Sequence, residues 1–120
     1  MNIKDIYKSL TIANGSSAII LTYTVPKGIK ATMIILANGL IDAGAWGYVT
    51  WELKINGIAK KPYQSFKNEI SNPSDPALCE TIKLREFEIL EIQATNDYTT
   101  SLDITARIML EERGKYESEE

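Results

Sequence analysis

YTVPKGIKATMIILAN, residues 23–38, decides the fold. Pro26 fixes φ and Gly28 permits φ > 0, so the chain turns between a strand ending at Val25 and another entering at Ile29 or Lys30. From Ala31 to Ala37 simple alternation fails. Ala31, Met33, Ile35 and Ala37 are apolar on one face, and Ile34 and Leu36 on the other. A strand of this kind is covered on both sides. In a chain of 120 residues that cover is either a second layer beyond the main core or a neighbouring subunit.

Outward from this stretch, turn signals recur. Asn14-Gly15, Asn38-Gly39 and Asn56-Gly57 each lie between alternating runs, where both residues tolerate the φ > 0 of a tight hairpin. GLIDAGAWG, residues 39–47, reads as a loop before a strand from Tyr48 to Ile55 that turns Val49, Trp51, Leu53 and Ile55 inward. Residues 60–76, with three prolines, form the longest irregular connection, and only Tyr63 to Phe66 suit a short edge strand. ALCETIKL alternates through Leu78, Glu80, Ile82 and Leu84. A reversal over Leu84 to Phe87 and a strand FEILEIQA follow. Beyond the turn at Asn96-Asp97, Leu102, Ile104, Ala106, Ile108 and Leu110 give the most regular alternation, over a strand from Thr100 to Leu110 with one wet face.

The N-terminus is ambiguous. Ile3, Ile6, Tyr7 and Leu10 have helical spacing, whereas Ile6, Lys8, Leu10 and Ile12 alternate. The reading adopted is an N-terminal arm over residues 1–6, then a domain over residues 7–111 whose first strand runs from Tyr7 to Ala13. The alternative is an arm that orders only on a partner. Residues 112–120 are acidic and too poor in apolar surface to offset chain entropy, so a disordered tail is expected. About eight strands with turns roughly every ten residues predict an all-β antiparallel β-sandwich of jelly-roll type. Its expected core includes Ile20, Ile35, Trp51, Leu53, Leu90, Ile104 and Ile108.

Composition narrows the chemistry. The chain has no histidine and one cysteine, Cys79, so it lacks the commonest general base, any internal disulfide and any cysteine cluster for zinc. Residues 111–120 hold five Glu against Arg113 and Lys115. The remaining body balances eleven acids with eleven bases, so no basic stripe faces nucleic acid. The longest apolar run, Met33 to Ala37, is too short to span a membrane. MNIKDIYKSL lacks the apolar stretch of a secretion signal, and a soluble protein is expected. Asp42, Glu52, Glu86, Glu88 and Glu91 are the carboxylates available for acid–base work, but Glu52, Glu88 and Glu91 sit on strands, where solvated faces carry acids. Asn72, Asp75, Asn96 and Asp97 suit turns better than a calcium loop. The expectation is a protein that is not an enzyme and holds no cofactor or metal. Trp46 and Tyr48, flanking Gly47 at a loop-to-strand junction, are the candidate exposed aromatics, for a subunit contact or for stacking on a sugar.

The arrangement SSAIILTYTVPKGIKATMIILAN, WELKINGIA, ETIKLREFEILEIQATN and a closing alternating strand resembles a family of small bacteriophage virion proteins. The matching residues are Tyr23, Val25, Pro26, Gly28, Asn38, Leu84, Glu86 and Ile89, within a resemblance spanning about residues 7 to 110. Arg85 departs from the pattern, standing where such proteins often have Gly. The resemblance implies a jelly-roll subunit of a phage particle, assembled in the host cytoplasm. It also implies a decoration, head-fibre or tail-associated role and a homotrimer bound to the major capsid protein or another virion protein. It carries over no catalytic residue. On this reading Ile34, Leu36, Trp46 and Tyr48 form the interface between copies. The rival reading is a small lectin-like module that recognises a host glycan through Trp46 and Tyr48.

Overall fold

A computed structural model describes residues 2–117, which form two four-stranded antiparallel sheets. The strands are β1 (Asn2–Ile12), β2 (Ser16–Thr24), β3 (Ile29–Leu40), β4 (Val49–Ile55), β5 (Ile58–Ala59), β6 (Ile82–Leu84), β7 (Ile89–Asn96) and β8 (Leu102–Gly114). One sheet has the order β1-β8-β3-β6 and the other β2-β7-β4-β5. First pairs with eighth, second with seventh, third with sixth and fourth with fifth. This nested pairing is the double Greek key of a jelly roll. Among the described residues no helix is long and apolar enough to cross a membrane.

The core follows the alternation. Leu102, Ile104, Ala106, Ile108 and Leu110 of β8 join Val49, Trp51 and Leu53 of β4 and Leu90, Ile92 and Ala94 of β7 in one buried cluster. Two of the three Asn-Gly pairs make turns. Gly15, at φ 76°, ends the β1–β2 turn, and Asn56 and Gly57, at φ 53° and 80°, make the β4–β5 hairpin. The third does not. Asn38 and Gly39 continue β3, and the chain turns only after Leu40.

Four further expectations change. β1 begins at Asn2, so residues 2–6 of the expected arm are strand, and Met1 lies outside the described residues. Pairing explains the extension, because β1 runs in register with β8 from Asn2↔Glu112 to Ile12↔Leu102. For the same reason β8 passes through residues 112–114 of the expected tail, whose residues 118–120 also lie outside the described residues. The expected strand ALCETIKL shrinks to Ile82–Leu84, and Leu78 is exposed. Ile35 is buried, but outside the main core cluster.

Candidate protein interface

The double apolar pattern of residues 31–37 resolves at a β-bulge. Met33 pairs with Leu110 and Ile35 with Met109, leaving Ile34 as the extra residue on β3. The bulge reverses the phase of alternation, so Ala31 and Met33 face the core before it and Leu36 after it, with Leu36 only 1% exposed. Leu36 therefore belongs to the protomer's own core and is not an interface residue. Ile34 is half-buried at the bulge, where its carbonyl accepts the Cys79 N–H at 2.9 Å.

Ile35 and Ala37 are covered by the chain itself. Residues 68–79 run along the edge of β3 that β8 does not occupy. The Asn38 N–H donates to the Ser71 carbonyl (3.2 Å), while Ser71 Oγ and Cys79 Sγ donate to the Leu36 carbonyl at 3.1 and 3.2 Å. The buried Asn38 amide donates to the Asn68 carbonyl (3.1 Å) and accepts the Ile70 N–H (2.7 Å). Arg107 donates to the Pro73 carbonyl at 2.7 Å, and Pro73 lies so close to Gly39 that a Cβ there would stand 3.1 Å from Pro73 Cγ. Residues 68–79 thus form a flap that closes the free edge of β3 and, at Pro73, lies against Gly39 and Arg107, and with Ile35 and Ala37 buried within the protomer, residues 31–37 do not call for a neighbouring subunit.

The two aromatics separate. Asp42 accepts the Gly44 N–H at 3.0 Å and caps a 3₁₀ helix, Ala43–Tyr48, that presents both. Trp46 is half-buried and stacks on the fully buried Trp51 at 5.9 Å, and Trp51 in turn stacks on Phe66 at 6.4 Å. Trp46 is thus used in the protomer's own packing. Tyr48 remains 52% exposed, against Tyr98 at 5.2 Å.

At the opposite end, Lys30, Asn56, Arg85, Glu86, Glu88, Lys115 and Tyr116 line an open cleft of about 620 Å³. Its carboxylates are engaged. Glu86 accepts the Gly28 N–H and the Lys115 ammonium (3.0 Å), and these bonds, the first foremost, hold its carboxyl below the usual carboxylate range. Glu88 accepts the Arg85 N–H at 2.6 Å. Gly28 and Glu86, both among the residues of the phage resemblance, thereby tie two turns together. The turn itself places its positive φ, 69°, at Phe87. Asn96 is fully buried, donates to the Ile12 and Thr100 carbonyls at 2.9 and 3.0 Å and accepts the Tyr98 N–H, which is turn chemistry. Among the described residues no three or more Cys, Asp or Glu gather as metal ligands.

The surface that sequence reasoning missed is β1. Its side chains are fastened to β8: Asp5 forms a two-pronged pair with Arg107 at 3.0 and 2.8 Å, Ser9 meets Thr105 at 3.0 Å, and Arg107 sits over the Tyr7 ring at 5.7 Å. The hydrogen bond to Arg107 holds the Asp5 carboxyl below its usual range. Yet nine of the eleven residues of β1 are exposed, including Ile3, Tyr7 and Leu10. From Asn2 to Thr11, no described residue outside β8 bonds to its backbone, so its far edge presents unpaired N–H and C=O groups. The available signal was the placement of Ile3 and Tyr7 on one face and Ile6 and Leu10 on the other. No protein-family model and no curated protein matches the chain.

Proposed function

We propose that this chain is a non-enzymatic structural subunit of a bacteriophage particle, of the capsid-decoration or fibre type, that self-associates and attaches to other virion protein. The observation that carries the reading is the open edge of β1 from Asn2 to Thr11, which exposes Ile3, Tyr7 and Leu10 among its polar residues. Such an edge adds strands from another chain unless something covers it. Jelly-roll connectivity supports the reading at the level of fold, since viral capsid and lectin domains both use it. The resemblance at Tyr23, Val25, Pro26, Gly28, Asn38, Leu84, Glu86 and Ile89 favours the first. Analytical ultracentrifugation tests self-association: an oligomer at micromolar concentration is expected, and a monomer contradicts it.

One observation favours the carbohydrate-binding alternative: the Tyr48–Tyr98 pair stands at the rim of the sandwich with Tyr48 half exposed. Glycan binding that disappears in Tyr48→Ala, with no change in subunit number, would move the assignment to a host-recognition module.

A further inference from the structure

We infer that two copies of this chain pair antiparallel along β1, with a two-fold axis at Tyr7, so that two four-stranded sheets become one of eight strands. The inference rests on the self-association reading and names its contact, a two-fold pair in place of the homotrimer that the resemblance implies.

Geometry restricts the register. A two-fold axis relating adjacent antiparallel strands stands perpendicular to the sheet and keeps each side chain on its own face. Odd-numbered residues of one copy therefore oppose odd-numbered residues of the other. β1 spans Asn2–Ile12, so an axis at Tyr7 brings all eleven residues opposite a partner. Asp5 then faces Ser9 of the second copy, Lys4 faces its Leu10, Ile6 its Lys8 and Ile3 its Thr11. No like charges stand directly opposite, and the stems of Lys4 and Lys8 lie on the partly exposed Leu10 and Ile6.

The neighbouring registers fail on charge. With the axis at Ile6, Lys4 opposes Lys8 twice; with the axis at Lys8, that lysine opposes its own copy. Charges on an edge strand ordinarily guard it against indiscriminate pairing. Here Lys4 and Lys8 also select one register over those beside it. Pairing satisfies the outward backbone groups of β1 and covers part of the exposed Ile3, Tyr7 and Leu10.

Disulfide trapping tests this in a Cys79→Ser background, where a hydroxyl retains the bonding to Leu36. Residues directly opposite lie about 4.5–5.5 Å apart at Cα, within reach of a disulfide. Tyr7→Cys should therefore convert under mild oxidation from a monomer band to a covalent dimer. Asp5→Cys should stay monomeric, because its thiols would lie four residues out of register, roughly 14 Å apart. If the protein sediments as an oligomer but Tyr7→Cys does not cross-link, or Asp5→Cys does, this contact is wrong and self-association stands. If it sediments as a monomer at micromolar concentration, both fail.

Discussion

Replacing Asn38 by Ala probes the flap along β3. The Asn38 side chain is 1% exposed, accepts the Ile70 N–H at 2.7 Å and donates to the Asn68 carbonyl at 3.1 Å. Asn68 is exposed, and water can replace the lost donor there. Ile70 is half-buried, and leaving a buried donor unpaired costs about 1–3 kcal/mol. With the lost packing of the amide, a total near 2–3 kcal/mol is expected, a fall in Tm of roughly 8–12 °C at about 4 °C per kcal/mol for a domain of this size. Thermal and urea unfolding measure it against Asn14→Ala, an exposed turn position where a change within about 0.5 kcal/mol is expected. Amide exchange at Asn38 and Cys79, whose N–H groups bind across the flap boundary, should quicken in the first variant and not in the second. Equal, small effects from the two substitutions would refute the flap as the closure of the free edge of β3 and return Asn38-Gly39 to a surface turn.

Other perturbations follow from the same contacts. Gly39→Ala places a Cβ 3.1 Å from Pro73 Cγ, and should cost about 1–3 kcal/mol in urea unfolding as Pro73 is displaced. Glu112 accepts the Tyr23 hydroxyl at 2.6 Å, so Glu112→Ala should lower stability by about 1–2 kcal/mol, and ending the chain after Leu110 should cost more by removing the last β8 residues. Asp5 and Glu86 both have lowered pKa values in the fold, Asp5 chiefly through Arg107 and Glu86 chiefly through the Gly28 N–H. Their stabilisation is complete above the ordinary carboxylate range near about pH 4 and is lost as pH falls through the folded values. A profile of Tm against pH should accordingly fall less steeply on its acid side in the Asp5→Asn/Glu86→Gln double variant.

The sandwich was legible where side chains alternate and where a turn depends on its own residues. The row Leu102 to Leu110 and the hairpin at Asn56-Gly57 depend on local chemistry alone. Asn38-Gly39 misled because the same dipeptide serves a different end. Asn38 there anchors a segment thirty residues away, and Gly39 admits Pro73. The bulge at Ile34 left no compositional mark beyond the broken alternation, which a subunit contact would also produce. Trp46 read as exposed because its partner Trp51 is fixed only once the 3₁₀ helix folds back on β4. Residues 2–6 of β1 read as an arm because the residues that hold them in line, Arg107 above all, lie some hundred positions away.

Hydrogen exchange of the β1 amides, followed from nanomolar to high micromolar protein, tests self-association through this edge most directly. Amides of β1 that point to β8 should be protected at every concentration. Those on the open edge should exchange freely when dilute and become protected as the protein is concentrated, with no comparable change at Tyr48. Open-edge amides that exchange equally fast across the whole range would contradict the account.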